Sequence, residues 1–229
     1  AGIGVIEDII TVTGSIKFDV MGDTPATKRT DFQEILAKVA KGRPIVLAAS
    51  THAGEEALIA TATREAGAFP LIVPRHAERR ADVVKDLQAA GFTPIRRTAG
   101  NLPAELPDNA CYIADTTGEL RDWTALADVA IIGKSFLAKG GQNPVEAIAA
   151  HVPVITGPDM TNFADLVALL EATHGIWRCE SNQLAETLRS VLQNEAERIA
   201  RTEKAYAALH IHSGATRRSV ELVEAFFGS

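Results

Sequence analysis

The sequence predicts an α/β fold, a doubly wound parallel sheet. Two observations carry that prediction. Six short apolar runs, at residues 44–50, 69–74, 93–97, 111–115, 129–133 and 152–156, have the length and continuity of strands buried on both faces. Segments of helical period and crossover length lie between them, at 31–41, 53–67, 77–91, 118–127 and 144–151, several stopping at a glycine. From Asn162 onward the pattern is mainly helical, with helices expected at 163–174, 182–192, 195–209 and 215–227 and one last strand at 175–179. A helical tail after a complete sheet packs either across that sheet or onto a neighbouring domain, and the pattern leaves both open.

Composition narrows the function classes. Lys and Arg number 23 against 29 Asp and Glu, a formal charge of -6, so no overall basic field exists to hold a nucleic-acid backbone. Cys111 and Cys179 are too few for a disulfide scaffold or a cysteine zinc site, which points to a reducing, cytosolic compartment. No apolar run approaches the roughly 18 residues that cross a bilayer, and the first residues lack the basic start of a signal peptide. G-x-S-x-G, Walker and G-x-G-x-x-G patterns are all missing, which counts against the usual hydrolases, P-loop enzymes and NAD-dependent dehydrogenases.

Ligands of such a fold bind where strands end and helices begin, so the loops after the strands carry the candidates. STHAGEE (50–56) sets Ser50, His52 and Gly54 before a helix N-terminus, where free N–H groups favour an anion. Equally, Ser50 or Thr51 caps that helix while Glu55 and Glu56 offset its dipole; those two glutamates would repel a phosphate unless they point away. PRHAERR (74–80) places Pro74, Arg75 and His76 after the second strand, with Arg79 and Arg80 one turn on. Cations at a helix N-terminus oppose the dipole and need compensation, so this cluster suits either an anionic ligand or a solvated face.

DTTGEL (115–120) has Thr116 and Glu119 at capping-box spacing. GKSFLAKGGQNPVE (133–146) offers Lys134, Ser135 and Asn143 as polar ligands, and glycines at 140 and 141 that admit a close backbone approach. Asn143 at the cap, Pro144 at the first helical position and Glu146 beyond also make a good helix start, and spacing alone does not separate cap from ligand. His210 and His212 look like a metal pair without a third ligand and are assigned to the surface or to packing.

Taken in order, VTGSIKFD (12–19), STHAGEE, LIVPRHAERR, YIADTTGEL, GGQNPVEA and GPDMTNF (157–163) resemble the C-terminal half of bacterial 3-deoxy-D-manno-octulosonic acid (Kdo) transferases. The resemblance runs from about Val12 to the terminal helices. It implies a Rossmann-like domain of a GT-B glycosyltransferase occupying residues 1–229, with the N-terminal acceptor domain, its catalytic glutamate base and its membrane-associated acceptor site absent. The implied reaction is metal-independent, inverting transfer of Kdo from CMP-Kdo to lipid A precursor, at the cytoplasmic side of the bacterial inner membrane. The implied ligand is CMP-Kdo with no cofactor, and no catalytic residue is expected in this chain.

Carried over by motif, Pro74 and Arg75, Thr117, Gly118 and Glu119, and Asn143, Pro144, Val145 and Glu146 make the CMP site. His76, Lys134, Ser135 and Gly141 stand beside it, and Lys17, Ser50, His52 and Gly54 belong to other matching loops. In that assignment Glu146 accepts ribose hydroxyls, backbone around Gly118 reads cytosine, Arg75 offsets phosphate charge and Lys17 faces the donor carboxylate. Lys134 stands where the family usually has glycine, and Thr117 where it often has methionine. Rival readings are half of a sugar-nucleotide 2-epimerase, which would prefer uridine nucleotides, and a non-catalytic nucleotide-binding module.

Overall fold

A computed structural model of the chain describes residues 10–19 and 28–227. The seven expected runs all form strands: β1 (Ile45–Thr51), β2 (Phe69–Pro74), β3 (Thr93–Arg96), β4 (Ala110–Ile113), β5 (Val129–Ile132), β6 (Val154–Thr156) and β7 (Trp177–Arg178). They make one parallel sheet in the order β3-β4-β2-β1-β5-β6-β7. Period-two alternation sends Leu47, Leu71, Ala130 and Ile132 into the core on one face, and Val46, Ile72, Val129 and Ile131 into the core on the other. Burial on both faces explains why these strands read as unbroken apolar runs.

The helices are α1 (Thr30–Ala40), α2 (Glu55–Glu65), α3 (Arg80–Ala89), α4 (Leu120–Thr124), α5 (Val145–Ala149), α6 (Ala164–Ala172), α7 (Leu184–Gln193), α8 (Glu195–His210) and α9 (Ala215–Phe227). α2, α3 and α7 pack together on one face, whereas α4, α5, α6 and α8 share the other. α8 therefore lies across the sheet's own layer, while α9 is mostly exposed, with Ala215 its buried residue.

Six helix starts fall later than the hydrophobic period suggests, four of them between β1 and β6. Gly54 at φ 86° and Gly118 at φ 82° take a left-handed backbone that no helix continues, so α2 begins at Glu55 and α4 at Leu120. Ala77–Arg79 is a separate 3-10 turn ahead of α3, and α5 starts after Pro144. The expected stops at Gly67 and Gly91 hold, with φ of 79° and 80°.

Residues 10–15 form no strand. The segment 10–19 is tied to the start of α9. The backbone N–H of Ser15 meets His212 Nδ1 at 3.2 Å, the Arg218 guanidinium donates twice to the Thr13 carbonyl, and Asp19 accepts from Gly214 and Thr216. His212 thus has a packing role, its ring 5.5 Å from Phe18. Among the described residues no helix is long and apolar enough to cross a membrane, and no group of His, Cys, Asp and Glu forms a metal cluster. Cys111 and Cys179 are free and buried, and burial pushes the Cys111 thiol up to about 12.

Candidate functional site

β1 passes the chain to β2 on one side and has β5 on its other side, so the order of the sheet reverses between β1 and β5. A crevice outside the carboxyl ends of the strands is the site such a reversal creates. The loops after β1, β2, β4, β5 and β6 all end there, and they contain the residues singled out from the sequence other than Lys17, His210 and His212.

The first two loops meet through a bulge. Ser50 takes φ 56° between Ala49 and Thr51, shifting the pairing register, and the Arg75 N–H then donates to the Thr51 carbonyl at 3.1 Å. Gly133, at the end of β5, comes so close that a β-carbon there would stand 2.5 Å from the Ser50 carbonyl oxygen. His52 faces His76 edge-on at 6.0 Å between ring centres, and its Nε2 lies 3.0 Å from Gln142 Nε2 in the β5 loop. Burial lowers the His52 pKa below its ordinary value. Lys134 and Arg79 push the same way, against an upward pull from Glu55.

Capping does not account for STHAGEE. Gly54 holds the cap position of α2 with no side-chain bond, and the Thr51 hydroxyl turns instead to Glu56 Oε1 at 3.0 Å. Glu55 and Glu56 are both fully buried and point into the protein, so neither faces an anion in the crevice. Glu56 also supplies the compensation that the Arg-rich turn needs: Arg79 Nη1 lies 3.0 Å from its Oε1. Arg79 is thereby spent on structure, and Arg80 bonds back to the Ala77 carbonyl. Arg75 is exposed and makes no ion pair or hydrogen bond through its side chain with any described residue.

After β4, the Thr116 hydroxyl bonds the Glu119 carboxylate, but no reciprocal backbone bond completes a capping box, because α4 opens only at Leu120. Glu119 is flanked by Arg97 at 3.5 Å and Arg29 at 3.8 Å, and the Arg29 guanidinium sits 4.0 Å over the Phe32 ring. Thr117 and Gly118 are exposed at the tip.

The loop from Gly133 to Asn143 packs on the β6 loop with no room to spare. A β-carbon on Gly140 would meet Asn162 at 2.5 Å, one on Gly141 would meet Met160 at 2.3 Å, and one on Gly157 would meet the Ser135 carbonyl at 2.2 Å. Asp159 adds a bond from the Gly140 N–H at 2.8 Å. Ser135 is fully buried; its hydroxyl donates to the Ile132 carbonyl and accepts from the Gly157 N–H, which leaves it a brace within the loop. Pro144, not Asn143, holds the cap position of α5, and Asn143 Oδ1 accepts from the Val145 N–H at 3.1 Å. Glu146 is exposed and bonds no described residue through its carboxylate, so α5 opens without it.

His52, His76 and Lys134 are thus brought together with Gly54, Gly141 and Asn143 in adjoining loops, and Pro74 and Val145 are buried beneath them. Lys17 lies apart in the Ile16–Phe18 turn beside α9, and its side chain falls outside the described residues. Sequence reasoning missed Gln142, Asp159 and the structural roles of Glu55 and Glu56. Two acidic residues at a helix start carry no local signal that separates an exposed dipole partner from a buried loop anchor. A cavity of about 230 Å³ opens at the opposite end of the sheet, beside Gln33, Leu36, Arg43 and Ile45, remote from these loops.

No family model matches the chain. It is 39% identical over 228 residues to 3-deoxy-D-manno-octulosonic acid transferase of Bordetella pertussis, a match covering 95% of this chain and 52% of that protein. The Haemophilus influenzae protein of the same name is 31% identical over 233 residues, covering 99% of this chain and 54% of its own length. The chain therefore spans about half the length of the curated relatives it matches. Among solved structures, the C-terminal CMP-Kdo binding domain of WaaA from Acinetobacter baumannii superposes with a TM-score of 0.68 at 27% identity, covering 79% of this chain and 99% of that one. Anabaena HepE in complex with UDP and glucose shares the fold alone, with a TM-score of 0.59 at 12% identity over 53% of its length.

Proposed function

This chain is a homologue of the 3-deoxy-D-manno-octulosonic acid transferases, matching about half their length, and from that premise we propose that it binds CMP-Kdo as the donor half of such an enzyme. The observation that supports this most is the crevice at the β1/β5 reversal. There Arg75 and Glu146, a cation and an anion on two of the converging loops, stand exposed with no partner among the described residues. Glu146 accepts the two ribose hydroxyls, as an ionised carboxylate can, and Arg75 offsets the phosphate charge. Backbone around Gly118 reads cytosine.

In the transfer step an acceptor hydroxyl on lipid A precursor attacks the anomeric carbon of Kdo, and the bond to the CMP oxygen breaks with inversion. The attacking proton goes to a base in the other half of the enzyme, and the electron pair leaves on the phosphate. This chain's share is electrostatic: Arg75 stabilises the departing phosphate, with no metal required. The whole enzyme acts at the cytoplasmic face of the inner membrane, and its acceptor site lies outside residues 1–229.

Calorimetry with CMP and UMP, with and without EDTA, tests the reading. CMP binds in preference and is insensitive to EDTA, weakly because half of the cleft's contacts are missing. Equal binding of both nucleotides, or loss of binding in EDTA, contradicts it. Incubated with CMP-Kdo and lipid acceptor, the chain alone gives no transfer.

A further inference from the structure

One carboxylate from outside the β5–α5 loop holds that loop's backbone. Glu55, fully buried at the first turn of α2, divides five N–H groups between its two oxygens. Oε2 accepts from His52 at 3.0 Å and Lys134 at 2.6 Å. Oε1 accepts from Ser135 at 3.0 Å, Phe136 at 3.1 Å and Leu137 at 3.5 Å. Successive N–H groups turned onto one anion form a nest, a geometry in which backbones commonly cradle a bound phosphate. Here the anion belongs to the chain. The nest is filled, so a donor phosphate has no access to these N–H groups.

The shortest of the five bonds goes to Lys134, which takes φ 58°, a left-handed backbone that a side chain makes costly. Such a conformation persists only where its surroundings enforce it; here Glu55 holds the Lys134 N–H, and the Gly141 N–H donates to the Lys134 carbonyl at 2.9 Å. Lys134 stands half-buried in the crevice loop, two residues past the end of β5, and its ammonium makes no hydrogen bond or ion pair with any described residue.

We infer that Glu55 is a positioning residue, which through its bond to the Lys134 backbone turns the Lys134 side chain onto the donor phosphate in place of a backbone anion hole. The inference rests on the donor-site reading above. It differs from a purely structural role in one respect: the phosphate should sense Glu55, and the nucleoside should not. Glutamine at this position cannot accept on both oxygens, since its NH2 would face N–H donors.

The test compares CMP with cytidine on the whole chain and on Glu55→Gln, with folding followed by circular dichroism. The folded variant is expected to lose about tenfold in CMP affinity, the scale of one charge-assisted contact, with cytidine affinity unchanged. Equal losses for both ligands, or none, overturn the inference. If Glu55→Gln does not fold, Lys134→Gly decides, because glycine accepts the left-handed backbone and leaves the Glu55 bonds in place. Selective loss of CMP supports the inference, and unchanged CMP affinity overturns it. A wild-type chain that binds neither ligand ends the donor reading itself, whereas a wild type that binds CMP beside unaffected variants ends only this inference.

Discussion

His52 Nε2 and Gln142 Nε2 lie 3.0 Å apart, joining the loop after β1 to the loop after β5 across the reversal of the sheet. With the amide nitrogen facing the ring, Gln142 donates and the imidazole accepts, which takes a His52 without a proton on Nε2. Burial works in the same direction by lowering the His52 pKa.

The pH dependence follows from that direction. Above the ordinary value of 6.5 His52 is neutral folded or unfolded. As pH falls below it the unfolded chain takes up the proton first, so stability declines until the lower folded value is passed. NMR titration of the imidazole is expected to show a midpoint below 6.5, rising when a phosphate ligand occupies the crevice. A midpoint at or above 6.5 in the free chain contradicts the assigned environment.

Asp19 gives a second titration with the opposite handle. The Thr216 N–H and hydroxyl, then the Gly214 N–H, hold its carboxyl below the ordinary 3.8. Its contribution is therefore present above 3.8 and lost as pH falls through the lower folded value. Asp19→Asn should speed amide exchange in residues 10–19 and the first turn of α9 at neutral pH, and leave the strands unaffected.

Gly133→Ala probes the close approach of β1 and β5. Its β-carbon would sit 2.5 Å from the Ser50 carbonyl oxygen and 2.7 Å from the Thr51 α-carbon, both backbone atoms that cannot swing aside. Overpacking of this kind costs about 1–3 kcal/mol, so the melting temperature should fall by roughly 3–10 °C. Gly67→Ala, where nothing lies within 4 Å, tests the φ 79° backbone without a clash and should cost less.

Glu146→Gln separates helix start from ligand. Because Asn143 already bonds the Val145 N–H, the melting temperature is expected to stay unchanged. CMP affinity should fall about tenfold or more, the scale of hydrogen bonds to a charged acceptor. With 2',3'-dideoxy-CMP the substitution should matter much less, and equal effects on both ligands would leave Glu146 without a ribose role.

Strands and layers were legible because burial on both faces leaves an unbroken apolar run that flanking glycines delimit, as at residues 69–74, where strand and run coincide. Helix starts were less so, since a period in apolar residues says nothing of the left-handed glycines at 54 and 118 that delay α2 and α4. The loops of the crevice could be named one by one from their polar residues. Their cross-bracing could not, because Glu55 and Lys134 are brought together only by the sheet order. Local rules assign a helix-start glutamate to the dipole, and tertiary structure gave it to another loop.

In the proposed donor complex the nucleotide lies over the carboxyl ends of the strands. Backbone NMR of the isotope-labelled chain during CMP addition tests it most directly. The largest shifts are expected at Arg75, Gly118 and Glu146 and in the loop from Gly133 to Asn143. Shifts confined to Gln33, Arg43 and Ile45, around the cavity at the opposite end of the sheet, would contradict it.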